Sequence, residues 1–289
     1  MNKSDLVLTL GKRLLLMVCI FIICFMLTSA AAFVLMKLLG GNPASAMRIG
    51  TVVQDLLAFI IPAIVTALIV TRKPAELLCI RPAANPRIFL AVLVMAFASI
   101  PALESVIYWN YHWEFPESMA EFVAAARAME DNATNMMRVM MQNTSVLSLI
   151  VNILIVGVLA GFSEEILFRG CFQRLLTTGG VNPHVAIWIV AVCFSAMHFQ
   201  LFGFVPRIIL GAYFGYLLLW TRSLWVPVVA HSLNNTLYVI AAWYQARTEG
   251  VDAVTEEPVM YSAWLIALSV IAAIVILLLQ KRLSSIPTK

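Results

Sequence analysis

Charge is scarce in this sequence. Asp, Glu, Lys and Arg make up 12% of its 289 residues, against 62% that are hydrophobic, and an ordinary soluble domain carries about twice that charged share. That balance excludes a soluble enzyme or binding module, and a net charge of +4 gives no reason to expect a nucleic-acid partner. The cysteines are few, odd in number and mostly inside apolar runs (Cys19, Cys24, Cys79, Cys171, Cys193), so no disulfide framework is expected. Internal repeats, low-complexity tracts and domain linkers are also lacking. The inverted halves that mark many transporters are therefore not visible.

What is present is apolar sequence in runs long enough to cross a bilayer, which takes roughly 20 residues per helix. Eight such runs lie at about 14–36, 50–70, 88–109, 147–168, 184–201, 206–220, 224–245 and 260–280. They predict an all-α, polytopic transmembrane bundle, a single membrane domain over residues 1–289. With the N-terminus cytoplasmic, thirteen basic residues fall inside (Lys3, Lys12, Arg13, Arg72, Lys73, Arg81, Arg87, Arg169, Arg174, Arg222, Lys281, Arg282, Lys289). Only six fall outside (Lys37, Arg48, Arg127, Arg138, Arg207, Arg247). The positive-inside rule then places both termini in the cytoplasm. The first run, from Lys12-Arg13 to Ser29-Ala30-Ala31-Ala32, also has the outline of a signal peptide. Its apolar character continues through Phe33-Val34-Leu35-Met36, so a retained span is expected. Between the third and fourth runs, Glu117 to Met141 predicts an external helix.

Ionisable groups at membrane depth cost about 2.5–3.5 kcal/mol each even on the lenient insertion scale. Here they concentrate in three runs: Glu164, Glu165 and Arg169 in the fourth, His198 in the fifth, His231 and Asn235 in the seventh. Asp55 and Glu104 read as solitary. On a helix Glu165 and Arg169, four apart, share a face, in the favourable order for an ion pair. Glu164 points away from Arg169. A carboxylate without a cation in an apolar setting is what a general base requires.

Depth links the motifs. Thr178 to Pro183, with Gly179-Gly180 and Asn182-Pro183, predicts a turn between antiparallel helices. Glu164 and His198 then lie at nearly the same level, since each residue rises about 1.5 Å. A carboxylate and an imidazole facing each other can bind and deprotonate water. His231 and Asn235 share a face of the seventh run, with Asn234 able to replace Asn235, and offer neutral donors for an oxyanion. Gly157-xxx-Gly161 and Gly211-xxx-Gly215 are small-residue faces for close helix packing.

Glu164-Glu165-xxx-Arg169, Phe194-xxx-His198 and His231-xxx-Asn235, in order and in separate runs, resemble the three-motif signature of the type II CAAX prenyl endopeptidases. Their bacterial relatives are the CAAX proteases and bacteriocin-processing enzymes. Phe168-Arg169-Gly170 and Leu224-Trp225-Val226-Pro227 fit the same pattern. The resemblance implies an intramembrane endopeptidase with its catalytic core at about 147–245. It puts Glu164 and His198 at the attacking water, His231 and Asn235 at the oxyanion, and Glu165 and Arg169 in support. It implies a peptide or protein substrate and a lipid setting, in a bacterial plasma membrane if the compact chain is bacterial. The expectation is catalysis without a cofactor. The alternative is one zinc held by Glu164, His198 and His231, a known kind of catalytic ligand set. A transporter or non-catalytic scaffold with a buried polar network is the rival reading, and a haem protein ligated by His198 and His231 a third. The motifs of other intramembrane proteases are missing: no His-Glu-xx-His, no Gly-x-Gly-Asp, and no final glycine after Gly161-Phe162-Ser163-Glu164.

Overall fold

A computed structural model of the chain describes residues 6–38, 43–255 and 257–285. Among them there is no strand beyond one isolated bridge between Leu6 and Thr71. The long helices are α1 (Leu10–Leu38), α2 (Pro43–Val70), α3 (Arg87–Ala98), α4 (Ile100–Tyr111) and α5 (Ala120–Met140). They continue with α6 (Val146–Thr178), α7 (Pro183–Ala196), α8 (Phe204–Thr221), α9 (Trp225–Thr248) and α10 (Ala263–Ser285). Each of the eight predicted runs falls on these helices, and α5 is the predicted external helix.

Local chemistry sets the ends. Ser145 Oγ accepts from the Ser148 N–H, 3.3 Å, to start α6. Asn182 Oδ1 accepts from the His184 N–H, 2.9 Å, ahead of α7, which opens on Pro183. Both are the side chains and positions that satisfy a helix's first free N–H groups. After α6, Gly180 turns the chain with φ +100°, a conformation glycine adopts without strain.

Among the described residues five helices are long and apolar enough to cross a membrane, and six if α3 and α4, bent by 50° at Ser99, count as one. The protein is an integral membrane protein. The predicted fifth and seventh spans are the ones that fall short. α7 has 14 residues and stops at Ala196, while α9 is long but carries His231, Ser232, Asn234, Asn235 and Thr236. Polar residues collected for a site lower the very hydropathy by which a span is recognised.

The connections gather at two ends of the bundle. At one end Val7 N–H donates to Val70 O at 3.1 Å, Leu224 N–H to Cys79 O at 3.0 Å, and Ser223 Oγ to Arg81 O at 2.6 Å. Asn85 also reaches Leu283 O there. At the other end Arg48 holds Asn152 and Ser148, Asn110 holds Leu201 O, and Arg138 holds Val254 O at 2.9 Å. With α3 and α4 taken as one bent helix, α2, α3–α4 and α6 to α10 each run from one of these ends to the other, while α5 stays at the second, near Tyr111 and Arg48. In the middle, α6 packs against α9, and α7 against α8. α1 and α10 lie at the edge.

Candidate active site

Gly157 and Gly161 bring α6 and α9 together. A Cβ on Gly157 would sit 2.5 Å from Thr236 Oγ1, and one on Gly161 would sit 2.9 Å from Ser232 N. Backbone therefore lies almost on backbone, and His231 is carried up to the two glutamates. Wide π-helical turns occupy 153–159 and 166–173 of α6 and 55–60 of α2. Such turns are uncommon and frequent at functional sites.

Glu165 and Arg169 are fully buried and paired, Oε1 to Nη1 at 2.5 Å. The predicted ion pair is present, and it has two further partners that helical spacing did not show. His231 Nδ1 lies 2.9 Å from Glu165 Oε1, and Arg169 Nη2 donates to Gly211 O at 3.0 Å. Gln173, four residues on, donates in the same way to Gly215 O. The Gly211-xxx-Gly215 face thus does more than allow close packing, because its carbonyls receive the two side chains that α6 projects. The guanidinium also lies over the rings of Phe194 (4.5 Å) and Phe214 (5.3 Å), so aromatic faces solvate its remaining charge.

Among the described residues Glu164 has no Lys or Arg within ion-pair distance, as the spacing implied. Its Oε2 faces His231 Nε2 at 3.7 Å and His198 Nε2 at 3.9 Å, is buried, and makes no hydrogen bond among the described residues. His198 is therefore level with Glu164 as predicted. It stands on the turn beyond α7, however, not on a helix. Its ring is aimed by Nδ1, 2.8 Å from Phe194 O, which explains why an aromatic residue four positions earlier belongs with this histidine: Phe194 also packs edge-on to both imidazoles, at 4.9 and 5.6 Å.

The hydrogen bonds decide the tautomers. A backbone carbonyl only accepts, so His198 Nδ1 carries a proton. Glu165, ionised against Arg169, only accepts, so His231 Nδ1 carries one too. In its neutral form each ring then turns an Nε2 lone pair toward Glu164 Oε2. Three acceptors converge on one place, which suits a donor of protons or a cation.

Asn235 is placed differently from the rest. Its Nδ2 donates to Val156 O, 3.2 Å away in the π turn of α6, and its Oδ1 meets Asn234 Nδ2 at 3.5 Å. Among the described residues it makes no hydrogen bond to Glu164, His198 or His231, though one of its two amide protons remains for another acceptor.

Asp55 is not solitary. Ser163 Oγ donates to its Oδ1 at 2.9 Å, which brings a third carboxylate to the residue next to Glu164. A buried acid in an apolar helix was the only signal in the sequence, and its partner lies 108 positions away. Glu104 stays apart from the site, accepting from the Val259 N–H at 3.2 Å.

For zinc, the donor chemistry of Glu164, His198 and His231 is suitable. Each imidazole has the Nδ1–H partner that metal-bound histidines need. Tetrahedral zinc with bonds of about 2.0–2.1 Å sets its donors roughly 3.4 Å apart, somewhat closer than these. Among the described residues no three His, Cys, Asp or Glu side chains are gathered closely enough to form a metal centre as they stand.

Residues 146–237 match the family model of the type II CAAX prenyl endopeptidase Rce1-like proteins, which bears out the resemblance read from the three motifs. A curated relative, the uncharacterized protein YpbD of Bacillus subtilis (strain 168), is 28% identical over 91 residues, covering 30% of this chain and 43% of YpbD. The chain thus spans less than half the length of that relative. No solved structure matches it.

Proposed function

We propose, with the Rce1-like character of residues 146–237 as premise, that this protein is an intramembrane endopeptidase using Glu164 and His198 to activate water. One observation carries the reading. Glu164 Oε2 is buried, has no Lys or Arg within ion-pair distance among the described residues, and faces two imidazole nitrogens at 3.7 and 3.9 Å, distances spanned by one bridging water.

In this mechanism Glu164 accepts a proton from that water while the oxygen attacks the scissile carbonyl. Glu164 then passes the proton to the departing amine, so one water and one peptide become a carboxylic acid and an amine. Because the neutral ring only accepts at Nε2, His231 acts as an oxyanion donor when Nε2 is protonated as well, in place of the neutral donor expected from the sequence, with Glu165 at its Nδ1 as counter-charge. The free amide proton of Asn235 is the other donor. Arg169 holds Glu165 ionised and in place. If zinc is bound, Glu164, His198 and His231 are its ligands, and it supplies a polarised water and a Lewis acid.

The alternating ends of the bundle support eight crossings of the membrane as one domain, with the catalytic core at about 147–245. The excess of basic residues at one end supports cytoplasmic termini. A bacterial plasma membrane fits this arrangement, and the substrate class is lipidated or membrane-associated peptides.

The test is turnover of a quenched fluorescent farnesylated peptide, and of an unprenylated membrane peptide, by the purified chain in liposomes. Glu164→Gln keeps the shape and loses the basicity, so cleavage should fall by about 10²–10⁴-fold with the protein still folded. Near-wild-type turnover in that variant removes Glu164 as base. Elemental analysis of active protein is expected to show no stoichiometric metal. About one zinc per chain, with activity lost on its removal and restored by zinc, would replace the metal-free mechanism.

A further inference from the structure

His198 is the one member of the group that no helix holds, and the turn it stands on is unusual. The next residue, Phe199, has φ 54°, the left-handed region that bulky side chains rarely adopt and that persists only where the surroundings impose it. The surroundings are visible. Glu130, on the external helix α5, reaches the turn with both carboxylate oxygens: Oε1 accepts from the Phe202 N–H at 2.8 Å and Oε2 from Gln200 Nε2 at 3.0 Å. With its Nε2 so occupied, the Gln200 amide turns Oε1 toward Arg207 Nη2, 2.5 Å away. Three residues before Glu130, Arg127 lies 3.3 Å over the Phe202 ring and donates to Tyr111 O. Asn110 completes the strap, donating to Leu201 O and accepting from the Val205 N–H.

We propose that Glu130 is a positioning residue for His198: from outside the spans it clamps the 199–203 turn and so holds the imidazole Nε2 toward Glu164. The consequence for catalysis rests on the reading of Glu164 and His198 as the water site. The clamp itself does not. A carboxylate suits the task because it alone offers two acceptors to two donors in fixed directions. Glutamine there presents an N–H to one of them, and alanine presents nothing.

The experiment compares wild type with Glu130→Ala, Glu130→Gln and, as a control on the same helix, the exposed Glu121→Ala. In liposomes with the farnesylated peptide, Glu130→Ala is expected to lower kcat by about 10–100-fold with KM within about threefold, Glu130→Gln to fall between, and Glu121→Ala to match wild type. Added formate, but not chloride at equal ionic strength, should restore part of the Glu130→Ala turnover by supplying the missing carboxylate. Amide hydrogen exchange over 198–204, read by mass spectrometry, should quicken in Glu130→Ala while α6 and α9 stay as protected as before. Unchanged kcat, a change confined to KM, or unchanged exchange at 198–204 overturns the proposal. Exchange measured in the Glu164→Gln background needs no turnover. If Glu164→Gln still cleaves, the water-site reading falls, and the exchange result still decides whether Glu130 holds the turn.

Discussion

α6 and α10 have nearly the same mean hydropathy over their most apolar stretches, yet 33% of that stretch is buried in α6 and 11% in α10. α6 is the axis of the molecule and α10 is at its rim. Hydropathy cannot separate them because lipid tails are as apolar as leucine, so burying a leucine inside the bundle gains little over leaving it in lipid. What sets the positions is small residues and polar contacts. α6 has Gly157 and Gly161 against α9, with Glu165, Arg169 and Gln173 bonded to other helices. α10 contains no glycine and is fastened through Ser269 to Ala98 O at 2.6 Å and to the Ala102 N–H, Gln280 to Ala91 O and Tyr213, and Leu283 O to Asn85. Beyond the face that packs Ile276 against Ala91 and Met95, its surface points outward, with Leu268, Ile271, Val275 and Leu278 all more than half exposed.

The comparison breaks most readily at Arg169. Arg169→Ala leaves the buried Glu165 facing His231 without its cation, and losing one partner of a buried pair costs about 3–5 kcal/mol. Thermal unfolding in detergent should show that loss together with abolished cleavage. Unchanged unfolding with lost cleavage would mean that Arg169 meets the substrate instead of the fold.

A smaller effect is expected where α6 touches α9. Gly161→Ala forces a methyl to 2.9 Å from Ser232 N and 3.0 Å from its Cα, and overpacking of this kind costs typically 1–3 kcal/mol. Because the same contact sets the distance from Glu164 to His231, cleavage should fall as well. Gly50→Ala, where a Cβ meets nothing within 4 Å, is the matching control. If the two variants unfold alike, close approach is not what organises α6.

The least effect belongs to α10. Leu278, 64% exposed, exchanges one apolar contact with lipid for a slightly smaller one on mutation. Leu278→Ala should stay within about 0.5 kcal/mol of wild type and cleave normally. A large loss would show that this face packs on protein, against the contrast drawn here.

The helical runs, the ion pair of Glu165 with Arg169, the want of a Lys or Arg beside Glu164 among the described residues, and the level of His198 were all legible in the order of the amino acids. All of these follow from fixed local rules, namely 1.5 Å per residue, a 3.6-residue turn and the cost of charge in lipid. It took the folded bundle to set Asp55 beside Ser163, to share Glu165 between Arg169 and His231, and to bond Asn235 to Val156 O. The same fold straps the turn after His198 from α5, through Glu130 to Gln200 and Phe202. Those contacts join residues dozens to more than a hundred positions apart, through π turns and a left-handed phenylalanine that no periodicity announces. Which faces meet is set by close packing of glycines and by the bonding of stray polar groups, which depends on every helix at once.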